Sequence, residues 1–410
     1  MDSILSKTKE SVSSLNKLKN EDIKNMLIDI KKGLIDNKEY IIEENQKDYE
    51  LAKNTIRPQM LDRLKLDEKR IQGLCDSIDI LLDLKDYIGE VIEEYERPNG
   101  LKIQKVRVPF GVIASIFEAR PNVCVDIACL CLKTKNACVL KGGKEAINTN
   151  KALVKIMRDA VKKYTDPNCI TLIERTDRAA TDELITKKEY IDLLIPRGSK
   201  GLIQYVVNNS KIPFIETGAG NCTLYVEATA DQAMALEVAL NAKHQRPSVC
   251  NSIENLLVDE KIAEKFLPKL EKLFSQYNIE LRCDEASKKY LKNATIATEE
   301  DYYTEYNDDI IAIKVVKDYN EAISFINKHS TKHSESIITE NEEAKNAFFN
   351  EIDSACLYHN ASTRFTDGGE FGFGAEIGIS TTKLHARGPM GLREITTYKY
   401  LISGNGQVRK

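Results

Sequence analysis

Between residues 20 and 34 the apolar positions Ile23, Leu27, Ile30 and Leu34 recur at intervals of four, three and four, the repeat of an amphipathic helix. Asn20 stands just ahead of them, where a capping side chain is favoured. A charged, periodic run from Glu39 to Lys53 and further runs as far as Tyr95 continue the pattern. Residues 1–95 are therefore expected to be a helical layer packed on the rest of the chain. Arg97–Gly100 (RPNG) reads as a turn. Leu101–Val108 reads as an exposed strand whose alternation changes phase between Ile103 and Val106, which predicts a bulge.

Beyond Pro109 the pattern becomes short apolar runs separated by helical ones. Gly111–Phe117, Ala137–Lys141, Cys169–Ile173 and Ile191–Ile195 have strand length and little alternation, as strands covered on both faces do. Helical patterns at Val123–Leu132 and on to Val161 lie between them. Strand alternating with helix predicts an α/β fold with a doubly wound parallel sheet. Ile253–Val258, Asp309–Val316 and Ser354–Asn360, with helices to Phe274 and Lys328, predict a second α/β unit. Glu394–Ile402 is a late strand outside this alternation, as is Leu101–Val108. In such sheets ligands lie at the carboxyl ends of the strands. Here those ends are Glu118–Asn122, Lys141–Lys144, Glu174–Asp177 and the loop from Pro196.

Composition narrows the function classes. Lys and Arg number 59 against 63 Asp and Glu, a balance that argues against nucleic acid or a membrane surface as partner. No apolar run approaches the ~20 residues of a membrane span, and the N-terminal residues lack the apolar core of a secretory signal. The ten cysteines fall partly inside apolar runs (Cys124, Cys129, Cys131, Cys138), so reduced thiols in a cytoplasmic protein are expected. Cys129 and Cys131 have no second Cys/His pair at zinc spacing, which argues against a metal site.

Several stretches carry chemistry. No GxGxxG follows any strand. Lys141, Gly142 and Lys144 in KGGKEA, and Arg197, Gly198 and Ser199 just before a helix, place cations and backbone N–H groups where phosphate is bound. Each is equally readable as a turn with solvated charges. Gly218 and Gly220 permit close backbone approach to a ligand. Lys243–Asn255 reads KHQRPSVCNSIEN. There Pro247 forces a turn, and Lys243, His244 and Arg246 are the nearest cations in sequence that would lower the pKa of the Cys250 thiol. The alternative is a buried structural cysteine. Arg364–Ser380, rich in glycine and phenylalanine, reads as a binding loop.

EARPN, KGGKEA, IPRGSKGLI, QRPSVCN and TDGGEFGFGAEIGIS followed by HARGPMGL occur in this order. Together they resemble the gamma-glutamyl phosphate reductase family of the aldehyde dehydrogenase superfamily, over roughly residues 1–405. That family usually has Gly at Ser248, Thr at His244 and His at Thr223. The resemblance implies an aldehyde dehydrogenase-like fold. Residues 1–95, 109–227 and 368–390 would form a cofactor-binding domain, 228–367 a catalytic domain, and 96–108 with 391–410 an oligomerisation segment. It implies NADPH-dependent reduction of L-glutamyl 5-phosphate to glutamate 5-semialdehyde, through a thioester on Cys250, in proline biosynthesis. Cys250 is then the nucleophile, and Asn122 joins the Cys250 N–H as an oxyanion donor. Arg120 and Arg246 bind substrate. Lys141, Gly142, Lys144, Arg197, Gly198, Ser199, Glu216, Thr217, Gly218 and Glu305 bind NADPH. A homodimer or larger homo-oligomer and functional coupling to glutamate 5-kinase are also implied. Two other readings are an ordinary NAD(P)-dependent or CoA-acylating aldehyde dehydrogenase, and a non-catalytic protein that keeps the fold.

Overall fold

The computed structural model describes residues 1–56 and 58–409, so the last residue of the expected oligomerisation segment, Lys410, lies outside the described residues. The chain opens with five helices, α1 (Asp2–Asn16), α2 (Asn20–Asp36), α3 (Lys38–Ala52), α4 (Pro58–Leu64) and α5 (Glu68–Asp83). The stripe read from sequence is the buried one, with Ile23, Met26, Leu27, Ile30 and Leu34 inside the core. The layer is also bolted down by polar groups. Asp48 of α3 is buried and accepts hydrogen bonds from the backbone N–H and side chains of Asn148 and Thr149 at 2.6–3.2 Å. It thereby neutralises the N-terminus of a helix that begins at Ile147.

The expected helical layer ends early. Val91–Glu96 is a strand, β1, with all six residues exposed. It pairs antiparallel with β2 (Lys102–Pro109) across the Arg97–Gly100 turn. The expected bulge exists, but its extra residue is Ile92 on β1, between the pairs Val91–Val106 and Glu93–Lys105.

The first parallel unit follows: β3 (Val112–Phe117), α6 (Pro121–Lys133), β4 (Ala137–Lys141), α7 (Ile147–Val161), β5 (Ile170–Leu172), α8 (Arg178–Leu184), β6 (Leu193–Arg197) and α9 (Lys200–Asn209). Its four strands lie in the order β5-β4-β3-β6, and every residue of β3 and β4 is buried.

The second unit begins with β7 (Cys222–Val226), then α10 (Gln232–His244), β8 (Ile253–Asp259), α11 (Glu260–Ser275), β9 (Glu280–Cys283), α12 (Glu285–Lys288), β10 (Thr295–Ile296), β11 (Ile310–Val316), α13 (Tyr319–His329), β12 (Ser334–Ile338), α14 (Glu342–Glu351) and β13 (Cys356–His359). Its seven strands run parallel in the order β10-β9-β11-β8-β7-β12-β13. Apolar residues of α10 and α11 cover one face, and those of α13 and α14 cover the other.

Because β7 pairs with β8 and β12, the chain crosses between sheets before Cys222. The expected boundary at 227 therefore moves forward. The chain then returns to the first unit through β14 (Gly378–Ser380) and β15 (Gly388–Met390), and ends in β16 (Thr396–Ser403), which pairs antiparallel with β2. The expected pairing of the two outlying strands is thus present, with β1 as a third strand. Ile395, just ahead of β16, is buried in the core of the first unit.

Candidate active site

Cys250 sits in the turn between α10 and β8. The helix stops at His244 because Pro247 cannot continue it. The turn is held from three sides. Gly220 lies so close that a Cβ there would stand 1.4 Å from the Cys250 carbonyl oxygen. The buried Cys222 thiol donates to that oxygen at 3.2 Å. On the far side Asn251 Nδ2 donates to the Thr366 carbonyl at 2.8 Å, and Thr363 Oγ1 donates to the Asn251 carbonyl at 2.7 Å. Nine of the ten cysteines are buried, and Cys250 alone is half-exposed.

Two of the three cations read from sequence are engaged elsewhere. Lys243 is fully buried and paired with Glu254 at 2.6 Å. His244 points to Asp309, with Nδ1 at 2.9 Å from its carboxylate. Burial pushes the Cys250 thiol up to about 11; Arg197 opposes this, and the carboxylates Glu305 and Glu376 add to it. The expectation of a thiol lowered by its sequence neighbours is therefore overturned. Apart from Arg246, the cations near it arrive from other elements. Arg120, in the loop after β3, is brought down to about 10, first by burial, then by the like charges of Arg197, Arg63 and Arg246, against the pull of Cys250. Arg364 is lowered by burial and by Arg246, with Cys250 opposing, and its Nε donates to Gln245 Oε1 at 2.7 Å. Arg197, Arg120, Arg246 and Arg364 so form a cationic wall around one thiol, suited to a substrate with more than one anionic group. Arg364 was not singled out from sequence. Its signal was the position just before the glycine-rich loop.

Asn122, expected near the oxyanion, donates its amide to Asp126 Oδ2 at 3.1 Å within its own helix α6. Burial pushes the Asp126 carboxyl up to about 6. Asp126 and Glu376 line a cavity of about 240 Å³ between α5, α6 and residues 367–376. Glu376 is fixed there by the Gly368 N–H at 2.8 Å.

The other expected residues come from several elements. Lys141 ends β4, is buried, and has its pKa lowered by that burial. Gly142 is held against Asn150 and Phe117. Lys144 is exposed at the start of a 3₁₀ turn. Gly198 and Ser199 precede α9, with Ser199 Oγ accepting from Leu202 N at 3.4 Å. The Ser199 N–H, however, donates to Glu118 Oε2 at 2.8 Å, so a carboxylate of this chain already sits at that helix N-terminus. Glu216 accepts from Gln204 at 3.5 Å, and Thr217 Oγ1 donates to the Pro196 carbonyl at 2.9 Å. Gly218 packs on the Thr381 side chain. Glu305 Oε1 accepts from Gly220 N at 2.8 Å, which ties it to the backbone that touches Cys250. Thr223 is fully buried in β7, so the family's usual His there would be a core residue, away from the cleft.

The aldehyde dehydrogenase family model matches residues 17–289. A gamma-glutamyl phosphate reductase of Clostridium botulinum is 55% identical over 386 residues, 93% of each chain. One from Clostridium perfringens is 51% identical over 98% of each. This chain is a gamma-glutamyl phosphate reductase family member of the aldehyde dehydrogenase type. The crystal structure of the Thermotoga maritima gamma-glutamyl phosphate reductase superposes with a TM-score of 0.98 at 45% identity, covering 100% of this chain and 99% of that one. An acetylating aldehyde dehydrogenase of Geobacillus thermoglucosidasius, at 18% identity and TM-score 0.70, shares the fold.

Membership of the aldehyde dehydrogenase family implies a nicotinamide cofactor, NAD or NADP. The residues fit one. Lys141 is a desolvated cation at a strand's carboxyl end, and Gly142 and Gly198 have no room for a side chain. The family's substrates are small molecules. No helix among the described residues is long and apolar enough to cross a membrane.

Proposed function

We propose that this chain reduces L-glutamyl 5-phosphate to L-glutamate 5-semialdehyde with release of phosphate, the reductive step of proline biosynthesis, with Cys250 as nucleophile. The observation that carries this reading is the half-exposed thiol inside an arginine wall. The substrate has an acyl phosphate and an α-carboxylate, and two or more guanidinium groups answer both.

Cys250 Sγ bonds to the acyl carbon and the carbon–oxygen bond to phosphate breaks. The thiol proton departs with the released phosphate. The Cys250 N–H is the oxyanion donor nearest the new bond. Asn122 joins it with the amide N–H that its bond to Asp126 leaves free. Arg120 and Arg246 hold the phosphate or the carboxylate, and Arg197 favours the sulfur as it becomes anionic. NADPH, when bound, supplies the hydride that takes the thioester to the aldehyde, and Cys250 is released with a proton from solvent. Lys141, Gly142, Lys144, Arg197, Gly198, Ser199, Glu216, Thr217, Gly218 and Glu305 form its cleft, with Lys141 and Lys144 answering the 2′-phosphate. Glu216 has no hydrolytic step to serve, because phosphate is the leaving group.

The active form is a homodimer or larger. Its support is the three-stranded sheet, which leaves Tyr398, Tyr400, Leu401 and Ile402 exposed along its edge strand β16.

The test is NADP⁺ reduction with glutamate 5-semialdehyde, with and without inorganic phosphate, for wild type and Cys250→Ala. Phosphate-dependent turnover that Cys250→Ala lowers by more than about a thousandfold is the expected result. Turnover independent of phosphate assigns the chain to ordinary aldehyde oxidation.

A further inference from the structure

Lys243 and Glu254 stand at the two ends of the loop that carries Cys250, one in the last turn of α10 and the other second in β8. Both side chains are wholly buried, 2.6 Å apart. Lys243 Nζ also donates to the Ile253 carbonyl at 3.1 Å, and Ser252 Oγ donates back to the Lys243 carbonyl at 3.1 Å. These bonds close the base of the loop.

The pair also reaches a second loop. Glu254 Oε1 accepts from Asn307 N at 3.3 Å, where Asn307 holds a φ of 56°. The Lys243 ammonium lies 6.0 Å from the Tyr306 ring centre. Asn307 Nδ2 donates to the Glu305 carbonyl at 3.3 Å, and Glu305 Oε1 accepts from Gly220 N. Gly220 is in turn pressed against the Cys250 backbone. The contacts form a closed circuit: Cys250 loop, Lys243–Glu254, residues 305–307, Gly220, and back to Cys250.

A buried ion pair is a poor device for stability, because desolvating both charges offsets their attraction, and an apolar pair of similar volume often replaces it without loss. What such a pair does supply is one fixed geometry. We infer that Lys243 and Glu254 are positioning residues, a single buried pair that locks the nucleophile's loop to the Glu305 loop so that the two sides of the cleft keep one spacing. Neither touches substrate or cofactor. The inference rests on Cys250 being the nucleophile.

The test separates stability from rate. Lys243→Met alone leaves a buried carboxylate without its cation and is expected to lower the melting temperature. The double variant Lys243→Met/Glu254→Met removes both charges and keeps the volume, so it is expected to melt near wild type. It should nonetheless lose about a hundredfold in kcat/KM, the cost of a misplacement of roughly 1 Å. Iodoacetamide should alkylate its Cys250 faster by about threefold or more, because the loop is no longer pinned. A double variant with wild-type melting, kcat/KM and alkylation rate overturns the inference and leaves the pair a structural element only. Should that variant be insoluble, Lys243→Met/Glu254→Leu likewise removes both charges and their hydrogen bonds and is read by the same two outcomes. Cys250→Ala run in parallel tells the failures apart. If Cys250→Ala is active, the nucleophile assignment falls. If it is inactive while the double variant is fully active, only the pair's role falls.

Discussion

Replacing Gly220 with alanine would drive a methyl group into the backbone of Cys250, the proposed nucleophile. The new carbon would stand 1.4 Å from the Cys250 carbonyl oxygen and 2.3 Å from its carbonyl carbon. Non-bonded contact needs about 3.5 Å, so the two chains would have to part by about 2 Å. No rotamer change relieves this, because both partners are main chain. Neither side yields freely, since Gly220 N is bonded to Glu305 and Asn251 to Thr366. Overpacking of this kind costs about 1–3 kcal/mol of stability. The cost in rate is larger, because displacing a reacting group by about 1 Å lowers turnover on the order of a hundredfold. Gly220→Ala is therefore expected to lose at least about a hundredfold in phosphate-dependent kcat/KM while remaining folded. Gly73→Ala in α5 is the control: nothing lies within 4 Å of the Cβ it would add, so its kcat/KM should stay within about threefold of wild type. Steady-state rates beside a thermal melt decide the matter. A Gly220→Ala enzyme that melts like wild type and keeps kcat/KM within about threefold refutes the claim that this close approach places the thiol.

Iodoacetamide labelling of Cys250 in the free enzyme should rise about tenfold per pH unit from pH 7 to 10, because the neutral thiol persists below its raised pKa and only the thiolate reacts. A plateau by pH 8 would contradict the burial effect. Lys144→Ala should raise KM for NADPH several-fold more than KM for NADH, since the 2′-phosphate alone loses a cation; an equal rise removes Lys144 from that role. Tyr398→Asp with Tyr400→Asp, both half-exposed on β16, should shift the sedimenting species toward the monomer mass of 46.3 kDa. An unchanged oligomer places the interface elsewhere.

The strands of the first unit were legible because they are buried on both faces, which leaves uninterrupted apolar runs such as Val112–Phe117. β1 was not, for the opposite reason. All its residues are exposed, so Val91–Glu96 has neither an apolar face nor a period, and only pairing with β2 reveals it. Cys250 was legible from its turn and its motif. The groups that set its charge were not, because Arg197, Arg120 and Arg364 are brought to it by the ends of β6 and β3 and by the loop after β13. Sequence proximity named Arg246, which joins them, but also Lys243 and His244, each engaged by a carboxylate of its own. Side-chain direction at a helix end depends on what packs there, and that partner lies outside the local window.

A thiol held near 11 has a consequence for the enzyme at rest. At neutral pH only about one molecule in ten thousand has its sulfur as thiolate. Peroxide and other oxidants attack that form, so the route to sulfenic acid and the irreversible steps beyond it is almost closed while the cleft waits. The remaining nine cysteines are buried and offer no easier target. The chain is thus rich in cysteine yet sparing with exposed thiolate.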